Sequence, residues 1–176
     1  MIISLTGMPG SGKTTVGRLV ADLLGCRFLD LDEEIVRQQR RSIAEIIDSE
    51  GEAEFRKIEG RSLRGVVPPG AKESPVPTLV LALGGGTVLK PGSARLVRED
   101  TVCIYLRATV ETLTERLAGD TTPRPLLQAE GSDLRDRLQQ LLSQRAAAYE
   151  STARLILDTD GNDPGDIASE IIVTAL

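Results

Sequence analysis

Residues Gly7 to Thr14 read GMPGSGKT and satisfy the pattern G-x-x-x-x-G-K-[ST]. No other feature constrains the fold of this chain as much, because the octet functions only as a strand-to-helix turn. Its glycines let backbone amides turn inward without a Cβ clash and form an anion nest, and the helix that follows aims its positive N-terminus at the anion. The flanking residues supply that context. Ile2 to Leu5 is an apolar run that predicts a strand, while Val16, Leu19, Val20, Leu23 and Leu24 form a helical stripe that Gly25 stops. Gly10, Ser11, Gly12, Lys13, Thr14 and Thr15 are the expected nucleotide-binding residues. Lys13 brings charge to the β- and γ-phosphates, and Thr14 brings a hydroxyl to Mg²⁺. The competing reading is a Gly-rich turn that binds nothing.

The rest of the chain alternates in the same way. Phe28–Leu29 running into Asp30-Leu31-Asp32, Leu79–Leu83, Val102–Leu106 and Leu155–Leu157 read as four more strands, and Ile167–Val173 falls in a closing helix. The continuous apolar run at 79–83 suits a strand buried on both faces. Ser42-x-x-Glu45 and Ser49-x-x-Glu52 both read as capping boxes, the second opening a helix through Phe55, Ile58 and Leu63. Strand–helix alternation implies a five-stranded parallel sheet with helices on both faces, a three-layer α/β/α arrangement. Residues 66–78, VVPPGAKESPVPT, break the rhythm and read as a surface loop; Gly119–Pro125, GDTTPRP, suits a lid.

Composition excludes several function classes. The 176 residues fit one domain, and a net charge of −5 gives no basic footprint for nucleic acid. With no His, imidazole chemistry is absent, and the two cysteines, Cys26 and Cys103, have no metal spacing. They read as reduced, buried thiols of a cytoplasmic protein. Neither a leader nor a membrane span is expected.

Several residues carry candidate chemistry. Asp30 and Asp32 are two apart, which in a strand puts both carboxylates on one face of the ligand crevice. There they can hold Mg²⁺ and orient a hydroxyl; the bland alternative is that Asp32 caps the next helix. Arg56 has Glu52 and Glu59 as helical neighbours, so a solvated ion-pair face competes with a binding role. Arg145, late in the helix Leu134–Tyr149, reads alone as a surface charge. Gly84-Gly85-Gly86 at a strand end permits close approach of a ligand, or is a flexible turn. Arg124, between Pro123 and Pro125, is presented on the presumed lid, where it can meet charge on a transferring phosphoryl group.

In order and spacing, GMPGSGKTT, DLDEEI, SIAEIIDSEGEAEFRKIE, LALGGGTVL, RPLL and QRAAAYE resemble the shikimate kinase family along nearly the whole chain. The resemblance implies a single P-loop kinase domain over 1–176, with a substrate-binding helical region at about 32–64 and a lid at about 119–128. It implies MgATP-dependent phosphorylation of the shikimate 3-hydroxyl in the pathway to aromatic amino acids, by a monomer. Lys13 and Thr14 would meet phosphates and Mg²⁺, and Asp30 would support the metal. Asp32 would bind the acceptor and activate its hydroxyl. Arg56 and Arg145 would grip the shikimate carboxylate beside Gly84, Gly85 and Gly86. Arg124 would close on ATP, and Arg116 would flank adenine. The 66–78 loop looks longer than is usual in the family, and 158–164 is acidic where relatives often carry an Arg. Two rivals stay open: another P-loop small-molecule kinase acting on gluconate or a nucleoside monophosphate, and a nucleotide-binding switch without an acceptor.

Overall fold

The computed structural model describes residues 1–118 and 133–175. Five parallel strands form one sheet in the order β2-β3-β1-β4-β5. They are β1 (Ile2–Thr6), β2 (Arg27–Asp30), β3 (Leu79–Ala82), β4 (Val102–Arg107) and β5 (Leu155–Asp158). The helices between them are α1 (Lys13–Leu24), α2 (Leu31–Gln39), α3 (Ile43–Glu50), α4 (Glu52–Val66), α5 (Pro91–Asp100), α6 (Val110–Ala118), α7 (Leu134–Thr152) and α8 (Pro164–Ala175).

Strand periodicity divides the core into two. Ile3, Leu5, Val80, Ile104 and Leu106 pack with Val16 and Val20 of α1 and Ile167 and Ile171 of α8. Ile2, Leu81, Cys103 and Tyr105 face the other way, onto Phe55, Ile58, Val97 and Leu138 of the opposite helical layer. Successive side chains of a strand point to opposite faces, so a sheet buried on both sides needs this nearly unbroken apolar sequence. The expected α/β/α layering results. Cys103 is buried as expected, whereas Cys26 is only half-buried at the end of α1; both are free. Among the described residues no helix is long and apolar enough to cross a membrane.

Two local expectations are corrected. Ser42 and Glu45 do form a reciprocal capping box at the start of α3. Ser49 does not cap α4: it lies inside α3, and its hydroxyl donates back to the Glu45 carbonyl at 2.6 Å. Gly51 makes the break instead, with φ of +84° in the region open to glycine. The 67–78 segment is a connection, and it is tied down: Gly70 N–H donates to Asp100 Oδ1 at 2.7 Å and the Met1 amine to the Val76 carbonyl at 2.8 Å.

Candidate active site

The P-loop follows β1 at the point where strand order reverses, β3 lying on one side and β4 on the other. Ligands of open parallel sheets bind at this switch point. Gly7, Gly10 and Gly12 all have positive φ, so the turn is one that L side chains rarely adopt. A Cβ at Gly7 would stand 2.5 Å from the Leu106 carbonyl oxygen. The Lys13 ammonium donates to the carbonyls of Gly7 (3.1 Å) and Met8 (2.9 Å), drawing the side chain back over the loop.

Two cavities flank the loop. One of about 520 Å³ is walled by the P-loop from Gly10, by Arg116 and by the segment holding Thr159 and Asn162. The other, of about 570 Å³, is walled by Asp30, Asp32, Gly84 and Gly85. Lys13 and Thr14 belong to both. A donor on one side and an acceptor on the other would therefore meet at these two residues.

The spacing of Asp30 and Asp32 predicts a shared strand face, and the structure corrects this. β2 stops at Asp30 and α2 opens at Leu31, so the pair spans a helix start. Asp30, not Asp32, is the N-cap: its Oδ1 accepts from the backbone N–H groups of Asp32 (3.0 Å) and Glu33 (3.4 Å). Its Oδ2 accepts the Thr14 hydroxyl at 3.0 Å. One carboxylate thus fastens α2 to α1 and presents oxygen beside a hydroxyl. Asp32 lines the second cavity. Burial, then the nearby charges of Asp30 and Glu59, push its carboxyl up to about 6, against opposition from Lys13 and Arg56.

Asp32, Glu59, Arg145 and Arg56 converge on the glycine triplet. A Cβ on Gly84 would lie 2.8 Å from Asp32 Oδ1 and 3.0 Å from Glu59 Oε1. On Gly85 it would meet Arg145 Nη1 at 3.2 Å, and on Gly86 the Arg56 guanidinium carbon at 2.6 Å. Arg56 keeps both predicted ion pairs, Nη2 to Glu52 at 3.1 Å and Nη1 to Glu59 at 2.9 Å. They do not form a solvated face, because the Arg56 side chain is 9% exposed and Glu59 only 2%. Arg145 is not a surface charge either: it is 5% exposed, and Nη1 donates to the Gly85 carbonyl at 3.3 Å. No carboxylate pairs with Arg145 among the described residues.

Arg116 donates to the Thr159 carbonyl (2.7 Å), the Thr159 hydroxyl (3.1 Å) and the Gly10 carbonyl (3.3 Å). It clamps the P-loop to the segment after β5 at the edge of the first cavity. Thr15 lines the same cavity. Arg124 and the expected lid at about 119–128 lie outside the described residues.

Three residues of the site escape the sequence reading. Glu59 and Thr87 bond each other at 2.7 Å beneath Gly84, and the Tyr149 hydroxyl donates to the Gly85 carbonyl at 2.5 Å. Burial pushes the Tyr149 phenol up to about 12, so it stays a donor. Signals for two of them exist. Glu59 falls on the apolar stripe Phe55–Leu63, where a carboxylate is anomalous, and Tyr149 lies four residues from Arg145 on one helical face.

Comparison with known proteins gives the family. The family model described as "Shikimate kinase" matches residues 9–175. The shikimate kinase of Thermodesulfovibrio yellowstonii is 39% identical over 170 residues, covering 97% of this chain and 92% of that protein. That of Nitrosomonas europaea is 42% identical over 157 residues, covering 89% and 70% respectively. Among solved structures, the shikimate kinase from Acinetobacter baumannii in complex with shikimate superposes with a TM-score of 0.86 at 35% identity, over 97% of this chain and 90% of that one. The Aquifex aeolicus shikimate kinase gives 0.78 at 29% identity, over 98% and 95%.

Proposed function

The chain belongs to the shikimate kinase family, and on that premise we propose that it moves the γ-phosphoryl group of ATP to the 3-hydroxyl of shikimate. One observation carries the acceptor assignment. Arg145 is a buried guanidinium with no carboxylate partner among the described residues; it does not itself line the acceptor cavity but is bonded to the carbonyl of Gly85, which does. A buried charge is costly unless paired, so this site calls for an anionic ligand. A planar carboxylate matches a guanidinium fork, and Arg56 against Gly86 supplies a second cation close by.

The nucleotide half needs little beyond the P-loop, with its amides and Lys13 on the phosphates and Arg116 at the cavity edge. The residues at Thr14 and Asp30 fit Mg²⁺. A hydroxyl and a carboxylate 3.0 Å apart are hard oxygen donors. Among the described residues no group of three His, Cys, Asp or Glu side chains would hold an ion alone. That suits an ion that arrives largely with phosphate oxygens and water. When bound, it neutralises charge on the β- and γ-phosphates.

Asp32 orients the acceptor hydroxyl and takes its proton. A carboxyl raised to about 6 is mostly ionised at pH 7 yet a stronger base than a free aspartate. The acceptor oxygen forms a bond to the γ-phosphorus, the bond to the ADP oxygen breaks, and the proton goes to Asp32. Lys13 and the P-loop amides meet the charge that develops on the phosphoryl oxygens. Arg124, which matches the family's lid arginine, is assigned to the same charge.

The two free cysteines support a cytoplasmic location. The test is a coupled assay for ADP with MgATP and a panel of shikimate, gluconate and nucleoside monophosphates. Turnover should require shikimate; ATP consumption indifferent to shikimate would remove the reading.

A further inference from the structure

Glu59 is 1% exposed, and a carboxylate at that depth needs its partners fixed. It has two from distant parts of the chain. Its Oε2 accepts from Arg56 Nη1 at 2.9 Å within α4, and its Oε1 accepts the hydroxyl of Thr87 at 2.7 Å. Thr87 is fully buried, follows the glycine triplet directly, and bonds through its backbone N–H to the Gly84 carbonyl at 3.1 Å. So the Gly84–Gly86 turn and the helix bearing Arg56 are joined at one carboxylate. Arg56's other partner, Glu52, is 53% exposed, and a screened pair does little to aim a guanidinium. Asp32 Oδ1 and Glu59 Oε1 each lie within 3.0 Å of one point above Gly84, hence less than 6 Å apart. Where Glu59 sits therefore bears on the acceptor-facing aspartate as well as on Arg56.

We propose that Thr87 is a positioning residue of the acceptor site: its hydroxyl fixes the Glu59 carboxylate and, through it, the fork of Arg56 against the Gly84–Gly86 turn. The proposal rests on the acceptor-binding role given to Arg56 above. Valine in place of Thr87 keeps the shape but leaves Glu59 Oε1 buried without its donor. Relief requires Glu59 to turn toward another donor, and Arg56 moves with it.

Steady-state kinetics of the full chain with MgATP and shikimate decide the matter. T87V should raise the KM for shikimate on the order of tenfold, the loss expected when a buried charged acceptor forfeits a hydrogen bond. The KM for ATP should stay within about twofold. T87S, which keeps the hydroxyl, should restore the KM, and T87C, a weak donor, should fall between. In an E59L background, where residue 59 offers no oxygen to the Thr87 hydroxyl, T87V should add little, because the residue acts through Glu59. A wild-type shikimate KM for T87V, equal shifts in both KM values, or additivity with E59L overturns the proposal. If T87V does not fold, T87C against T87S makes the same comparison. An R56A control separates the two claims. Should R56A leave the shikimate KM unchanged, the acceptor reading itself fails; should it raise that KM while T87V does not, only the role of Thr87 fails.

Discussion

Replacing Arg145 by methionine should have effects of opposite sign on stability and on catalysis. Arg145 is 5% exposed, its hydrogen bond to Gly85 is a long 3.3 Å, and no carboxylate among the described residues offsets its desolvation. Methionine fills much of the stem's volume without a charge to bury. Exchanges of buried ionic groups for apolar ones of similar size are often neutral or stabilising. R145M should therefore hold or gain about 1 kcal/mol, a rise in Tm of ~2–4 °C for a chain of this size. Catalysis should suffer, because two charge-assisted hydrogen bonds to a carboxylate are lost and the ligand's charge is left partly unpaired. At roughly 1.5–3 kcal/mol per bond the total is about 3–6 kcal/mol, or ~10²–10⁴ in kcat/KM for shikimate. The KM for ATP should change less than about threefold. The assay is the ADP-coupled rate with each substrate varied, alongside a thermal melt of the same preparation. A shikimate kcat/KM within about fivefold of wild type, or equal losses for both substrates, would refute the carboxylate role. A large fall in Tm would refute the claim that the charge sits there at a cost to the fold.

Asp32 makes a pH prediction in two observables. As a base with its carboxyl near 6, it should give kcat/KM for shikimate an acid limb around that pH, activity falling as the group protonates. A folded-state value raised above the ordinary 3.8 means the native state binds more protons between these pH values, so this contribution to stability fades as pH rises through 6. D32N should then gain up to about 3 kcal/mol over wild type between pH 4 and 7 while losing turnover, as checked by denaturant melts at both pH values. Gly86→Ala should lower Tm and raise the shikimate KM together, because the new methyl would stand 2.6 Å from the guanidinium carbon of the buried Arg56 and push it off Glu59; a wild-type KM would show that the guanidinium's place against the turn does not matter. Lys13→Ala should lower kcat by at least about 10²-fold, and retained turnover would remove the phosphate-cradle argument.

What could be read in the sequence was what local chemistry decides. The P-loop needs glycines at Gly7, Gly10 and Gly12 because only they tolerate the turn, and a sheet buried on both faces needs apolar strands. Both signals lie within a few consecutive residues. Asp30 and Asp32 were found for a reason that does not hold. They share the site because α2 begins without a loop after a four-residue strand, and propensity does not reveal that junction. Likewise Ser49-x-x-Glu52 has the composition of a capping box, yet α3 runs on through Ser49 and the chain breaks two residues later, at Gly51. Arg145 looked like a surface charge because its burial depends on Gly85, sixty positions away. Arg56 looked solvated because its partner Glu59 is buried by Thr87 and Gly84. Long-range packing, not local pattern, decided these cases.

The strand order has a consequence for how such a chain can change over generations. Most acceptor-side groups come from one uninterrupted stretch, Asp30 to Thr87, carried on the two strands to one side of β1. Beyond the P-loop, the described nucleotide-side groups Arg116, Thr159 and Asn162 come after β4, from the other side. The two specificities are therefore written in separate blocks of the gene and can drift or be exchanged independently. Arg145 and Tyr149 are the exceptions, both reaching Gly85 from the later block. A transplant of residues 31–66 from a relative with another acceptor would keep its nucleotide grip, and position 145 would have to be chosen again.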